Sequence, residues 1–137
     1  MKVFFDTSTL TKRYLYEPGS LRVQEMLAKI DQIIVAPTFL TEFAVLIHRR
    51  YREKDLTSEQ MELLKQYMAE DIGSFEIVSW SDELVGHTLD LAEKYPLATL
   101  DIIQLASACF VGPDMFVTSD KQLYSYARKE IKSVTLI

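Results

Sequence analysis

Five short apolar runs alternate with longer segments of helical period, and this alternation constrains the fold more than any other feature of the 137-residue chain. The runs are KVFF at 2–5, QIIVAP at 32–37, FEIVSW at 75–80, MFVTS at 115–119 and SVTLI at 133–137, all read as strands. The pattern predicts an α/β domain with a mainly parallel sheet, one domain spanning 1–137. After Thr38, the residues Phe39, Phe43, Ala44, Ile47 and Tyr51 form an apolar helical stripe. TSEQMELLKQYMAE opens with a capping box from Thr57 to Gln60, and SDELVGHTLDLAEKY is an amphipathic helix stopped by Pro96. TLDIIQLASACF is apolar or small almost throughout and should be buried on most sides, ending at Gly112 and Pro113.

Composition narrows the function classes. A formal net charge of −5 argues against nucleic-acid binding by a broad positive field, although local basic clusters stand at Lys12–Arg13 and from Arg49 to Lys54. No apolar run approaches the ~18 residues of a membrane span, and Asp6 interrupts what would be the core of a signal peptide. The expected location is the cytoplasm, with the lone Cys109 a buried structural thiol.

The chemistry lies in four acids. Asp6 ends the first strand and Asp120 follows the fourth, and in an open α/β sheet the ligand crevice lies outside the carboxyl ends of the strands. Glu42 falls one position past the capping-box site if Thr38 is the helix cap, so its placement needs another reason. Asp101 stands near the start of the greasiest helix, with Gln104 three residues on along the same face. Each acid alone could be a cap or turn residue. Gathered at one sheet edge they would repel one another without a cation, and all-oxygen ligands suit Mg²⁺ or Mn²⁺ better than zinc. His48 and His87 lack zinc-ligand spacing and read as satisfied or surface histidines.

FFDTSTLTKRYLYEPGS, FLTEFAVL, LATLDIIQLASA and FVTSDKQL, in this order, resemble the PIN-domain nucleases, and the chain as a whole resembles VapC-type toxins of toxin–antitoxin pairs. The resemblance implies a three-layer α/β/α fold, Mg²⁺- or Mn²⁺-dependent cleavage of single-stranded RNA to 5′-phosphate and 3′-hydroxyl ends, an antitoxin partner and a homodimer. It carries Asp6, Glu42, Asp101 and Asp120 over as the metal-binding and catalytic cluster, with Thr7, Thr118 and Ser119 in support. Gln104 stands where many relatives have His, and PLATLD lacks the basic residue that many have before the third acid.

In that chemistry Asp6, Asp101 and Asp120 would fix one ion, with Glu42 either a ligand or the acceptor of the attacking water's proton. Lys12, Arg13 and Lys121 are candidate RNA contacts, and Tyr14 is a packing residue or a stacking surface. A phosphatase of the haloacid-dehalogenase type would need an acid where Ser8 stands. A receiver domain would need a phospho-acceptor acid where the third run instead ends in Trp80 and Ser81. A PIN fold that only binds protein, or a PIN nuclease of RNA processing without an antitoxin, are the remaining alternatives.

Overall fold

The computed structural model describes every residue from Met1 to Ile137. In chain order the elements are β1 (Lys2–Phe5), α1 (Thr7–Leu10), α2 (Ser20–Leu27), β2 (Gln32–Val35), α3 (Phe39–Arg52), α4 (Ser58–Asp71), β3 (Glu76–Ile77), α5 (Asp82–Lys94), α6 (Thr99–Val111), β4 (Met115–Thr118), α7 (Lys121–Ala127) and β5 (Val134–Leu136). The strands form one sheet in the order β3-β2-β1-β4-β5, every neighbouring pair parallel.

Alternation along β1 builds both cores. Val3 and Phe5 pack with Phe39, Phe43 and Ile47 of α3 and with Met61, Leu64 and Met68 of α4. Phe4 faces the other way, onto Leu84 and Leu91 of α5, Ile102 and Leu105 of α6, and Leu123 of α7. The result is the three-layer α/β/α arrangement with β1 buried on both faces, the environment that selects a near-continuous apolar strand. No helix is long and apolar enough to cross a membrane.

The five strands lie where the apolar runs predict them, but the third is cut short. Glu76 and Ile77 pair with Ile34 and Val35, and Val78 still donates to the Val35 carbonyl at 3.0 Å. The chain then leaves the sheet because Ser81 caps α5, its hydroxyl accepting from the Leu84 N–H at 3.0 Å. The expected stripe on α3 is narrower than five residues. Phe39, Phe43 and Ile47 are buried, whereas Ala44 and Tyr51 lie on the exposed flank. The Thr57–Gln60 capping box is present, α5 stops before Pro96, and α6 ends on Gly112 at φ +60°. Two helices have no counterpart in the sequence reading, α2 and α7. Cys109 is half-buried rather than buried, its thiol pushed up to about 11 by desolvation.

β1 lies at the switch point of the sheet. The chain builds outward through β2 and β3, then returns to place β4 on the opposite side of β1. The crevice of such a sheet opens beyond the carboxyl ends of the two strands at the reversal, and here those strands lead into Asp6 and Asp120.

The packing predicts a sharp contrast in urea denaturation. Phe116→Ala, in the fully buried centre of β4, lowers the unfolding free energy by about 3–5 kcal/mol. Ala44→Ser, on the exposed flank of α3, changes it by less than about 0.5 kcal/mol.

Candidate active site

Asp6 is 4 % exposed, an unusual position for a carboxylate, and its surroundings supply the donors that allow it. Its backbone N–H extends the ladder to Val117 at 3.0 Å, fixing the residue against β4. Its side chain caps α1, accepting from the Thr9 N–H at 2.8 Å and the Ser8 hydroxyl at 3.1 Å, while Oδ2 accepts from the Thr118 hydroxyl. Thr118 in turn accepts the Asp120 N–H at 3.0 Å, so one hydroxyl ties the two strand ends together. Asp120 caps α7 through Oδ1, which accepts from the Leu123 N–H at 2.8 Å. Ser119 reaches the site indirectly, sharing a 2.9 Å hydrogen bond with Thr9.

Glu42 has a different anchorage. One oxygen, Oε2, accepts from Thr38 at 2.6 Å, from Gln104 at 2.8 Å and from Thr7 at 3.1 Å. Gln104 also donates to Thr7 at 3.0 Å, linking α1, α3 and α6. The Thr38 hydroxyl makes no capping bond to the α3 backbone; it is spent on the carboxylate one helical turn away. That i, i+4 spacing of Thr38 and Glu42 is the signal that could have identified Thr38 from sequence. Gln104 Oε1 is buried without a partner, which fixes the amide: a flip would set this oxygen against Glu42 Oε2.

Asp101 lies in the first turn of α6 and accepts no hydrogen bond, so it is not a cap. Desolvation raises its pKa above the ordinary 3.8, and the charges of Asp120, Asp6 and Glu42 raise it further. Asp6 is also raised, by desolvation, against the lowering effect of its bonds from Thr118, Thr9 and Ser8. The four acids therefore share one electrostatic neighbourhood. They do not close around a point: no group of three or more His, Cys, Asp or Glu side chains is disposed to hold a metal ion. The physical reason is that three of the carboxylates are drawn to local donors. What remains uncommitted is Glu42 Oε1, Asp120 Oδ2 and both oxygens of Asp101, an all-oxygen set whose chemistry suits a hard divalent cation.

The basic residues divide. Lys12 is 3.1 Å from Glu17 and Arg13 is 3.1 Å from Asp71, whereas Lys121 opens α7 beside Asp120 without an ion pair. Tyr14 packs edge-on to Phe43 and donates to Asp71 at 2.7 Å, the packing role. His48 bonds to the Ala44 carbonyl and His87 lies against Phe110.

The PIN-domain family model matches residues 3–129. The chain belongs to the PIN-domain family. Among solved structures, this PIN domain is similar to FitAcB from Neisseria gonorrhoeae, at TM-score 0.71 and 13 % identity over 96 % of this chain and 95 % of that one. It is similar to VapBC2 from Rickettsia felis bound to a DNA fragment from their promoter, at TM-score 0.71 and 14 % identity over 100 % and 99 %. A toxin–antitoxin complex from Klebsiella pneumoniae gives TM-score 0.67 and 17 % identity over 97 % and 95 %. At these identities the likeness is one of fold. No curated protein matches the sequence.

Raised carboxyl pKa values make a stability prediction for this PIN domain. Asp6 and Asp101 bind protons more tightly in the folded chain. Their contribution is present below the unfolded value and is lost as pH rises through the folded one. Urea denaturation in chelator will show stability falling as pH rises above 3.8 through the raised values, and Asp101→Asn will flatten that fall and be more stable than wild type at pH 7. An Asp101→Asn protein less stable than wild type at pH 7 contradicts the electrostatic origin.

Proposed function

We propose that the chain, acting as one domain, is a cytoplasmic endoribonuclease that hydrolyses single-stranded RNA with a carboxylate-held Mg²⁺ or Mn²⁺, and that it is the toxin of a toxin–antitoxin pair. The observation that carries the reading is Asp101: a carboxylate with no donor, placed on an apolar helix in the field of three other acids. Half-buried and bonded to no protein donor, this carboxylate is free to take up a cation that offsets the shared charge. Membership of the PIN family, whose members are generally nucleases, supports the hydrolase class. The structural relatives described as toxin–antitoxin assemblies support an antitoxin partner, and a homodimer is proposed with it.

In this reading Asp6, Asp101 and Asp120 hold the ion, with Glu42 contributing its free Oε1 as a further ligand or as acceptor of the attacking water's proton. Bound there, the ion would acidify the attacking water and offset charge on the phosphoryl oxygens. Glu42 cannot swing freely, because Thr7, Thr38 and Gln104 all hold Oε2. Asp6 is immobilised by the α1 cap and by Thr118, so its position is set before any ligand arrives. Water near Glu42 Oε1 would thus meet a base of fixed direction, the preorganisation that general-base catalysis requires.

Two measurements test this. Wild-type protein will cleave single-stranded RNA with Mg²⁺ or Mn²⁺ and lose the activity in chelator, and Asp6→Asn or Asp101→Asn will cut the rate by about a hundredfold or more while retaining the folded circular-dichroism spectrum. Mn²⁺ will also raise the melting temperature of the wild type, and by less in Asp101→Asn. Equal cleavage by wild type and both variants would remove the nuclease assignment.

A further inference from the structure

Beside the acids runs a groove of about 490 Å³. Thr7, Glu42, Val45, Arg49, Trp80 and Leu100 all line it. Acid-site residues, an aromatic face and a cation therefore share one cavity.

We propose that this groove holds a nucleotide flanking the scissile bond of a single-stranded RNA, its base stacked on Trp80 and its phosphate held by Arg49. The proposal rests on the ribonuclease reading and extends it to the part of the substrate that the acids do not touch.

Three features of the groove carry the argument. Trp80 is 50 % exposed, left on the surface where the chain quits the short strand β3 and before Ser81 caps α5. Base–aromatic stacking is strong and tolerant of sequence, because every base has a π-face. Arg49 is exposed and takes part in none of the chain's ion pairs. It lies seven residues after Glu42, two turns along the same face of α3. Of the cations expected from sequence to meet RNA, Lys12 is engaged by Glu17 and Arg13 by Asp71, while Lys121 is unpaired but does not line the groove; the neighbouring Arg50 is also paired with Glu17. Arg49 is thus the cation that lines the groove with its guanidinium uncommitted, and guanidinium recognises phosphate well.

The third feature is the combination. A strand cut at the acids must continue away from them, and the groove begins at Glu42 and Thr7. An anionic strand leaving Glu42 meets a cation two turns further along α3, in a groove also lined by apolar side chains and an indole.

Trp80 is the only tryptophan, so emission excited to the red of tyrosine absorption reports on the groove. Asp101→Asn protein with Mg²⁺, which leaves RNA uncut, is titrated with a single-stranded RNA pentanucleotide. The expected result is saturable quenching of Trp80, weakened about tenfold or more by adding Arg49→Ala, with the matching duplex leaving the emission unchanged. In the otherwise wild-type chain, Trp80→Leu and Arg49→Ala raise KM for cleavage about tenfold, with kcat changed far less. RNA binding detected by anisotropy without any change in Trp80 emission overturns the proposal. So does emission that follows protein concentration and dimer formation but ignores RNA, which assigns the groove to a second copy. Cleavage that Arg49→Ala leaves untouched overturns the groove and spares the nuclease. Saturable quenching without wild-type cleavage of any RNA spares the RNA groove and removes the nuclease.

Discussion

A carboxylate buried at the end of the central strand is the constraint on which this structure turns. Asp6 is carried into the protein by Val3, Phe4 and Phe5, all fully buried, and desolvation alone would drive it to the neutral form. Thr9, Ser8 and Thr118 supply donors that oppose this. Their arrangement also dictates local structure: α1 begins where it does because Asp6 caps it, and β4 is locked in register with β1 by the same side chain and backbone. Packing and site geometry are here one set of interactions.

The second shared structure is the knot of hydrogen bonds around Glu42. Gln104 on α6, Thr7 on α1 and Thr38 at the start of α3 all reach a single carboxylate oxygen. The other oxygen is left free, and the Gln104 amide is turned so that its nitrogen donates to both Glu42 and Thr7. Asp101 is the counterpart on α6, a half-buried carboxylate bonded to no protein donor on a helix whose buried residues, Gln104 apart, are apolar or small.

Much of this was legible in the sequence, for reasons that can be traced. The buried strands β1, β2 and β4 are written as apolar runs because both faces are covered by helices, and α6 is written as a greasy helix for the same reason. Asp6 and Asp120 were placed at one edge by strand ends and the parallel-sheet rule, and the structure sets them at the switch point between β1 and β4. Edges read less well. The third run looked like a six-residue strand, but Ser81 competed for the chain as an α5 cap and left Trp80 on the surface. Helices α2 and α7 are short and depend on packing rather than periodicity. The side-chain bonds of Thr38 with Glu42 and the ion pairs that engage Lys12 and Arg13 depend on tertiary contacts that no local pattern encodes. Nor could spacing reveal that the carboxylates turn toward local donors instead of toward one another.

The central claim is that Asp6, Glu42, Asp101 and Asp120 act together on one cation. The most direct measurement is an anomalous-difference map from crystals grown with Mn²⁺, collected near the manganese absorption edge. The account predicts a peak bounded by oxygens of Asp101, Asp120 and Asp6, with Asp101 now engaged and Glu42 still held through Oε2. A map with no peak among these side chains at saturating Mn²⁺, or with its strongest peak elsewhere on the chain, contradicts it.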